Sequence, residues 1–326
     1  MEKRRFGKTN LEVTLLGLGG LFISKVGGAY PQARETILAA LDRGINYIDT
    51  APGYLDSEEV LGRALQGVET PFVLSTKLGG RPQPFNAQDR KGLEASFAES
   101  QRLLGRPIDL LMIHEPDRPR QYDWWTDKRA YTGPVLDFLR DLKASGTVKA
   151  IGLGGTTAYE IVPIIETGAF DVLLTAFNYS LLWREAEIQV LPAAIAQGMG
   201  IIIGSPLQQG ALAARYDQEI ASGAAWLSKP RREQYRALYR LLDELGMSIT
   251  DVAMRFVISN PHITTTLSGV RSVEELDRNI AAIEQGPLPP KILGKLDEIA
   301  AMVPFRPFEE PFGLPFGREY WGPGPA

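Results

Sequence analysis

The stretch "INYIDTAPGYLDSEEVLGRAL", residues 45–65, holds one complete strand-to-helix unit. An apolar run from Ile45 to Ile48 ends on an acid, Asp49. A turn built on Pro52 and Gly53 follows, and Ser57 to Leu65 then carries apolar residues at helical spacing. The carboxylate closes a buried strand, and a phenol, Tyr54, arrives five residues later.

The same unit recurs along the chain. Short aliphatic or β-branched runs stand at Leu15–Leu18, Asn46–Asp49, Phe72–Lys77, Asp109–His114, Ala150–Leu153, Val172–Phe177, Gly200–Gly204 and Thr264–Leu267. Between them the spacing predicts helices near 32–43, 57–66, 87–104, 134–145, 158–167, 186–197, 249–259 and 272–284. Strands that alternate with helices in this way build parallel sheets, and eight of each point to an α/β fold, the closed (β/α)8 TIM barrel. An open doubly wound sheet is the rival. It usually carries a glycine-rich phosphate turn after its first strand, whereas "GLGGLF" at 17–22 comes without an acid at the right distance.

Further segments fit a barrel. Residues 3–14 read as an N-terminal β-hairpin around Lys8-Thr9-Asn10 that would plug the barrel floor, and 230–246 as a helix inserted before the eighth strand. A last helix is expected at 289–302. The tail 303–326, dense in Pro, Gly and aromatic residues, is expected over the barrel mouth. No linker divides the chain, so residues 1–326 are expected to form a single domain.

Composition narrows the class. The chain has 326 residues, 44% of them apolar, enough for one large core. Lys and Arg number 35 against 39 Asp and Glu, a net charge of -4 with no dense basic run, which argues against nucleic acid or an anionic membrane as partner. With no cysteine and only two histidines, disulfides, thiolate catalysis and Cys-rich metal sites are excluded, and no metal is expected. No apolar run approaches the roughly 18 residues of a spanning helix. A soluble cytoplasmic protein that acts on small molecules is the expectation.

Chemistry in a barrel gathers at the C-terminal ends of the strands. Four polar residues stand there: Asp49 after the second strand, Tyr54 in the loop beyond it, Lys77 at the end of the third and His114 at the end of the fourth. A phenol is a poor acid at neutral pH unless a neighbouring ammonium favours its ionised form. Lys77 can supply that charge, with Asp49 holding it, and a neutral His114 can donate to a carbonyl oxygen. The set suits hydride addition to a carbonyl carbon with a proton going to its oxygen, the hydride coming from a cofactor. His262, ahead of the eighth strand, falls at the floor, where a stability role is expected. Trp124, Trp125, Trp183 and Trp226 are candidates for pocket walls.

These motifs make the chain resemble the aldo-keto reductases, and closest in pattern their aldose 1-dehydrogenase and L-galactose dehydrogenase branch. The resemblance runs from "GLGG" through "DTAPGYLDSEEVLGRAL", "STK", "IDLLMIHEPD", "GTVKAIG" and "SPLQQGAL" to "GVRSVEELDRN". It implies the same barrel, with Tyr54 as general acid/base, Lys77 and Asp49 as its tuning pair and His114 as the orienting donor. It also implies a nicotinamide dinucleotide, NADPH preferred and NADH possible. In "SPLQQGALAARY", Ser205, Leu207 and Gly210 match a pyrophosphate-covering loop, and Arg215 its basic position. Gly269 leads into a helix N-terminus where Arg271 matches a 2'-phosphate position and Asn279 an adenine contact. Glu275 stands where Gln or Arg is usual, and Arg278 where Glu is usual.

The nicotinamide side departs further. Gly154 and Gly155 replace Ser-Asn, Ala176 replaces Gln, Gly204 replaces a stacking aromatic, and Leu55 stands where Gly usually follows the Tyr. Asn178 or Thr156 are then the candidates for the lost polar contacts, and Phe177 for the lost ring. Small residues in place of Ser-Asn occur in the aldose dehydrogenase branch, which hints at sugar-like substrates. The alternatives are a regulatory or sensor subunit that binds NADP(H) with low turnover, and a barrel hydrolase using carboxylates such as Asp49 and Glu115.

Overall fold

The computed structural model of the chain describes residues 1–81, 83–118, 121–223 and 227–306. Strands buried on both faces read as continuous apolar runs, and eight such strands close into a parallel barrel here. They are β3 (Leu16–Gly19), β4 (Tyr47–Asp49), β5 (Val73–Leu78), β6 (Leu110–His114), β7 (Ala150–Gly155), β8 (Val172–Ala176), β9 (Gly200–Gly204) and β10 (Thr265–Ser268). The barrel closes where β10 pairs with β3, Thr266 opposite Leu16. Outside lie α1 (Tyr30–Asp42), α2 (Ser57–Ala64), α3 (Arg90–Leu104), α4 (Pro134–Ala144), α5 (Val162–Glu166) and α6 (Val190–Ala196). They continue with α7 (Asp217–Ser222), α8 (Lys229–Leu245), α9 (Ile249–Ser259), α10 (Val273–Glu284) and α11 (Pro290–Ala301). The expected barrel, the inserted helix α8 and the last helix α11 are all present.

The N-terminal segment forms an antiparallel pair, β1 (Lys3–Arg5) and β2 (Glu12–Thr14), with Lys3 opposite Thr14. Phe6, fully buried, leaves this hairpin to join Tyr47, Met112, Val172 and Ile202 inside the barrel. Its ring meets that of Tyr47 edge-on at 5.5 Å. The hairpin is therefore the floor plug that the sequence suggested. Gly7 makes the approach possible: its φ is +57°, and a Cβ there would lie 2.1 Å from the Gly200 amide nitrogen.

Element ends differ from expectation for local reasons. β8 stops at Ala176 because Phe177 adopts a left-handed φ of +67°. α3 begins at Arg90, where the Asp89 side chain accepts from the Lys91 amide. α5 is reduced to Val162–Glu166, since Pro163 lacks the amide hydrogen and its ring excludes the carbonyl four residues back. α7 has only six residues, too few to give a periodic signal. The expected tail beyond residue 306 lies outside the described residues, as does Trp226.

Candidate active site

Parallel register sets the four strand-end residues side by side. Asp49 pairs across with Ser75 on β5, and His114 with Gly154 on β7. In a strand, residues two apart face the same way, so Ser75 and Lys77 point with Asp49 to one side of the sheet. Lys77 Nζ lies 2.7 Å from Asp49 Oδ2 and donates at 2.8 Å to the Thr50 carbonyl; both side chains of the pair are about fully buried. The other Asp49 oxygen accepts from Ser75 Oγ at 2.7 Å. Lys77 Nζ is 4.8 Å from the centre of the Tyr54 ring, and the Tyr54 and His114 rings meet edge-to-face at 5.6 Å. The structure thus brings together all four residues expected at the strand ends.

The loop that delivers Tyr54 is tied on three sides. Tyr54 N–H donates to the Ala51 carbonyl at 3.0 Å, closing a tight turn. Ser57 Oγ bridges Thr50 Oγ1 and the Gly20 carbonyl, each at 2.8 Å. Glu58, buried at the start of α2, accepts at 2.6 Å from Thr76 Oγ1, the neighbour of Lys77, and pairs with Arg81. Leu55 has φ +51°, which explains why glycine is usual there: the left-handed region costs a β-carbon residue about 1–2 kcal/mol. Asp117 is the comparable anchor on the far side, accepting from the Thr156 and Thr157 amides at 2.9 and 2.6 Å.

Electrostatics sort the protonation states. Burial, then the Lys77 ammonium and Arg118, push His114 down from 6.5 to about 3, so its imidazole is neutral and can donate. Burial also dominates Tyr54 and raises it above the ordinary phenol value. Lys77 pulls the other way, while Asp49 and Glu115 add to the rise. The sequence suggested that Lys77 would lower this phenol; desolvation outweighs it, and Tyr54 holds its proton at neutral pH. Burial depresses Lys77, but Asp49 and Tyr54 outweigh that, so the ammonium stays charged.

Behind this centre, Trp124 is fully buried, its ring packed on Phe85 and Tyr122. A Cβ at Gly79 would lie 3.4 Å from the Trp124 ring and 3.5 Å from the His114 Cβ, so the indole packs near the base of the His114 side chain. Trp125 and Trp183 are buried in the outer core. His262 is exposed at the floor, beside Arg5 and Lys8 in a cavity of about 450 Å³, far from the mouth as expected.

The residues expected to hold a cofactor divide into two groups. Gly154, Gly155, Ala176 and Gly204 form a strip of small residues at the ends of β7, β8 and β9. A Cβ on Gly154 would lie 3.4 Å from the Lys77 Cε, so Gly154 leaves room beside the buried lysine, whereas Gly155, the next residue of the strand, faces outward against Ile161 and Asp117. Thr156 is buried on the Asp117 anchor, Asn178 donates to Thr175 Oγ1 at 3.2 Å, and Phe177 packs partly buried against the outer core. The second group lies on the loop after β9 and at the start of α10. Ser205, Gln208 and Gln209 all take left-handed φ, while turns through Leu207 and Gly210 fold the loop tightly.

Arg215 pairs with Asp217 and Asp243 and lies over Tyr239 at 4.6 Å, so its charge is engaged by α7 and α8. Arg271 lies over the Phe22 ring at 4.8 Å, and a Cβ at Gly269 would collide with that ring at 2.6 Å. Ser272 caps α10, its Oγ accepting from Glu275 N–H, and the Glu275 carboxylate accepts from Arg271 N–H at 2.8 Å. Asn279 is buried and donates to Ser268 Oγ at 2.6 Å. The space over Gly154 beside Lys77 and a cation, Arg271, near a helix N-terminus fit a nicotinamide dinucleotide.

Reasoning from sequence missed Tyr47, Ser75, Glu58 and Asp117. Tyr47, Ser75 and Glu58 sit inside a strand or helix pattern where a polar residue looks like ordinary alternation. Asp117 alone carried a signal, as the acid that ends "HEPD".

Comparison with known proteins agrees with this geometry. The family model described as the Aldo/keto reductase family matches residues 15–301. A pyridoxal 4-dehydrogenase of Microbacterium luteolum is 32% identical, covering 87% of this chain and 93% of its own. An L-galactose dehydrogenase of Arabidopsis thaliana is 25% identical over 87% and 89% of the two chains. A putative voltage-gated potassium channel subunit beta of Schizosaccharomyces pombe is 27% identical over 92% and 94%.

Proposed function

Because the chain belongs to the aldo/keto reductase family, we propose that Tyr54, Lys77, Asp49 and His114 carry its chemistry. The protein is a nicotinamide-dependent oxidoreductase that interconverts a carbonyl and an alcohol on a small-molecule substrate. When bound, the nicotinamide supplies or accepts the hydride. His114, neutral, donates to the carbonyl oxygen and fixes its position. Tyr54 gives its proton to that oxygen in reduction and takes it back in oxidation. Lys77 stabilises the phenolate left behind, and Asp49 holds Lys77 charged and in place. The observation that carries this reading is the fully buried Lys77–Asp49 pair set under the Tyr54 ring beside a neutral imidazole.

Gly154, Gly155, Ala176 and Gly204 would lie against the nicotinamide, with Asn178 and Thr156 the candidates for its polar contacts. Ser205, Leu207, Gly210 and Arg215 would cover the pyrophosphate, Arg215 by exchanging its carboxylate partners for phosphate. Gly269, Arg271, Glu275 and Asn279 would surround the adenosine. NADPH is the preferred form in this reading, supported by Arg271; the Glu275 carboxylate beside it lowers the preference and leaves NADH usable. The names of the relatives support aldose sugars and aryl aldehydes as substrates. A cytoplasmic location is part of this reading, checked by cell fractionation. Among the described residues no helix is long and apolar enough to cross a membrane.

The decisive experiment is a panel of aldoses and aryl aldehydes assayed with NADPH, NADH and their oxidised forms, for wild type and Tyr54→Phe. Loss of a general acid lowers turnover by about 10²-fold or more with the fold intact. Full activity in Tyr54→Phe would refute the assignment. A regulatory subunit is the second reading, favoured by the small residues at 154, 155, 176 and 204 and by the potassium channel relative. It predicts one equivalent of cofactor turned over and then arrest, where the enzyme gives sustained turnover.

A further inference from the structure

The Asp49 oxygen that faces away from Lys77 is held by groups from deeper in the barrel. Ser75 Oγ donates to Asp49 Oδ1 at 2.7 Å, and Tyr47 OH lies 2.8 Å from Ser75 Oγ. A serine hydroxyl has one proton, and a carboxylate can only accept. The Ser75 proton therefore goes to Asp49, the Ile48 carbonyl being distant at 3.5 Å, and Tyr47 must donate to Ser75. The bonds run one way, from Tyr47 to Ser75 to Asp49 and, across the carboxylate, to Lys77. Tyr47 and Ser75 are fully buried, so no water competes. The Tyr47 ring in turn rests edge-on against Phe6 of the floor plug.

We propose that Tyr47 and Ser75 are positioning residues that act through Asp49 and Lys77 to set how readily Tyr54 gives up its proton. This rests on Tyr54 being the acid. The physical reason is charge sharing: each donor aimed at Asp49 draws negative charge away from the oxygen on Lys77. Without the donor, Asp49 bears more uncompensated charge, binds the ammonium harder and repels a phenolate more strongly. The groups facing Tyr54 and Lys77 are Asp49 and Tyr47 on β4, Glu115 beyond β6, and His114, whose ring meets Tyr54; Arg118 pairs with Glu115. Of these, Asp49 is the one the donors touch. Its charge already raises Tyr54, so the sign is fixed: losing the donors raises the phenol further.

The test follows Tyr54 in cofactor-free protein by NMR of ring-labelled tyrosine, its signal identified by its loss in Tyr54→Phe. The pH is raised as far as circular dichroism holds steady. Ser75→Ala is expected to lower the ionised fraction of Tyr54 at a given pH about threefold or more, half a pH unit on the titration. Tyr47→Phe, which keeps the ring on Phe6, moves it the same way by less, because the Ser75 bond survives. In turnover, the alkaline limb of reduction shifts upward in the same order while KM stays constant. An unmoved or lowered titration in both folded variants overturns the proposal, and so does a shift in Ser75→Ala with none in Tyr47→Phe. Should Ser75→Ala fail to fold, Tyr47→Phe decides by the same criterion. Activity in Tyr54→Phe would instead sink the functional reading and leave the titration standing.

Discussion

His114 shows how one residue couples the chemistry to stability. Its imidazole is held at about 3 in the folded protein against an ordinary 6.5, so between these values the unfolded chain binds a proton that the native state refuses. Falling pH then favours unfolding. The contribution is intact above pH 6.5 and is lost progressively as pH falls toward 3, by up to about 1.4 kcal/mol per pH unit, less for the exposed part of the ring. His114→Gln is expected to flatten the acid side of the stability curve, read as urea midpoints at pH 7 and pH 5. A drop as steep as in wild type would assign the acid sensitivity elsewhere. At this scale the sequence was legible for residues that break a pattern: an acid ending an apolar run, a lysine and a histidine at strand ends. Ser75 and Tyr47 were not legible, since a serine and a tyrosine within a strand read as ordinary alternation. Only register reveals that they line up with Asp49.

At the scale of elements, α2 matters because Ser57 and Glu58 at its start tie down the Tyr54 loop. It packs on α3 through Gly62, where a Cβ would fall 1.9 Å from the Leu103 carbonyl oxygen. Backbone cannot yield as a side chain does, so Gly62→Ala must separate the two helices. The expected cost is about 1–3 kcal/mol, measured as a lowered thermal midpoint. A midpoint within a degree of wild type would mean that the helices part freely. The strands and long helices were readable because burial on two faces, or on one stripe, leaves a period in the residues. α7, six residues long, and the shortened α5 were not, because a single turn or a proline overrides any period.

For the whole molecule, the hairpin and the barrel are one packed body joined by Phe6. Truncating that side chain leaves a void among residues that are themselves fully buried, so Phe6→Ala is expected to cost about 3–5 kcal/mol in denaturant unfolding. A cost below about 1 kcal/mol would show that the floor collapses around the gap. The closure of the barrel has a further consequence, in time. Residue 16 finds its partner only at residue 266, so during synthesis the edges of β3 and β9 stay open until β10 has left the ribosome. Contacts so distant in sequence form slowly, and over that interval two unpaired strand edges are free to capture neighbouring chains. The same seam that makes the finished barrel edgeless is thus where a nascent chain is most exposed to aggregation.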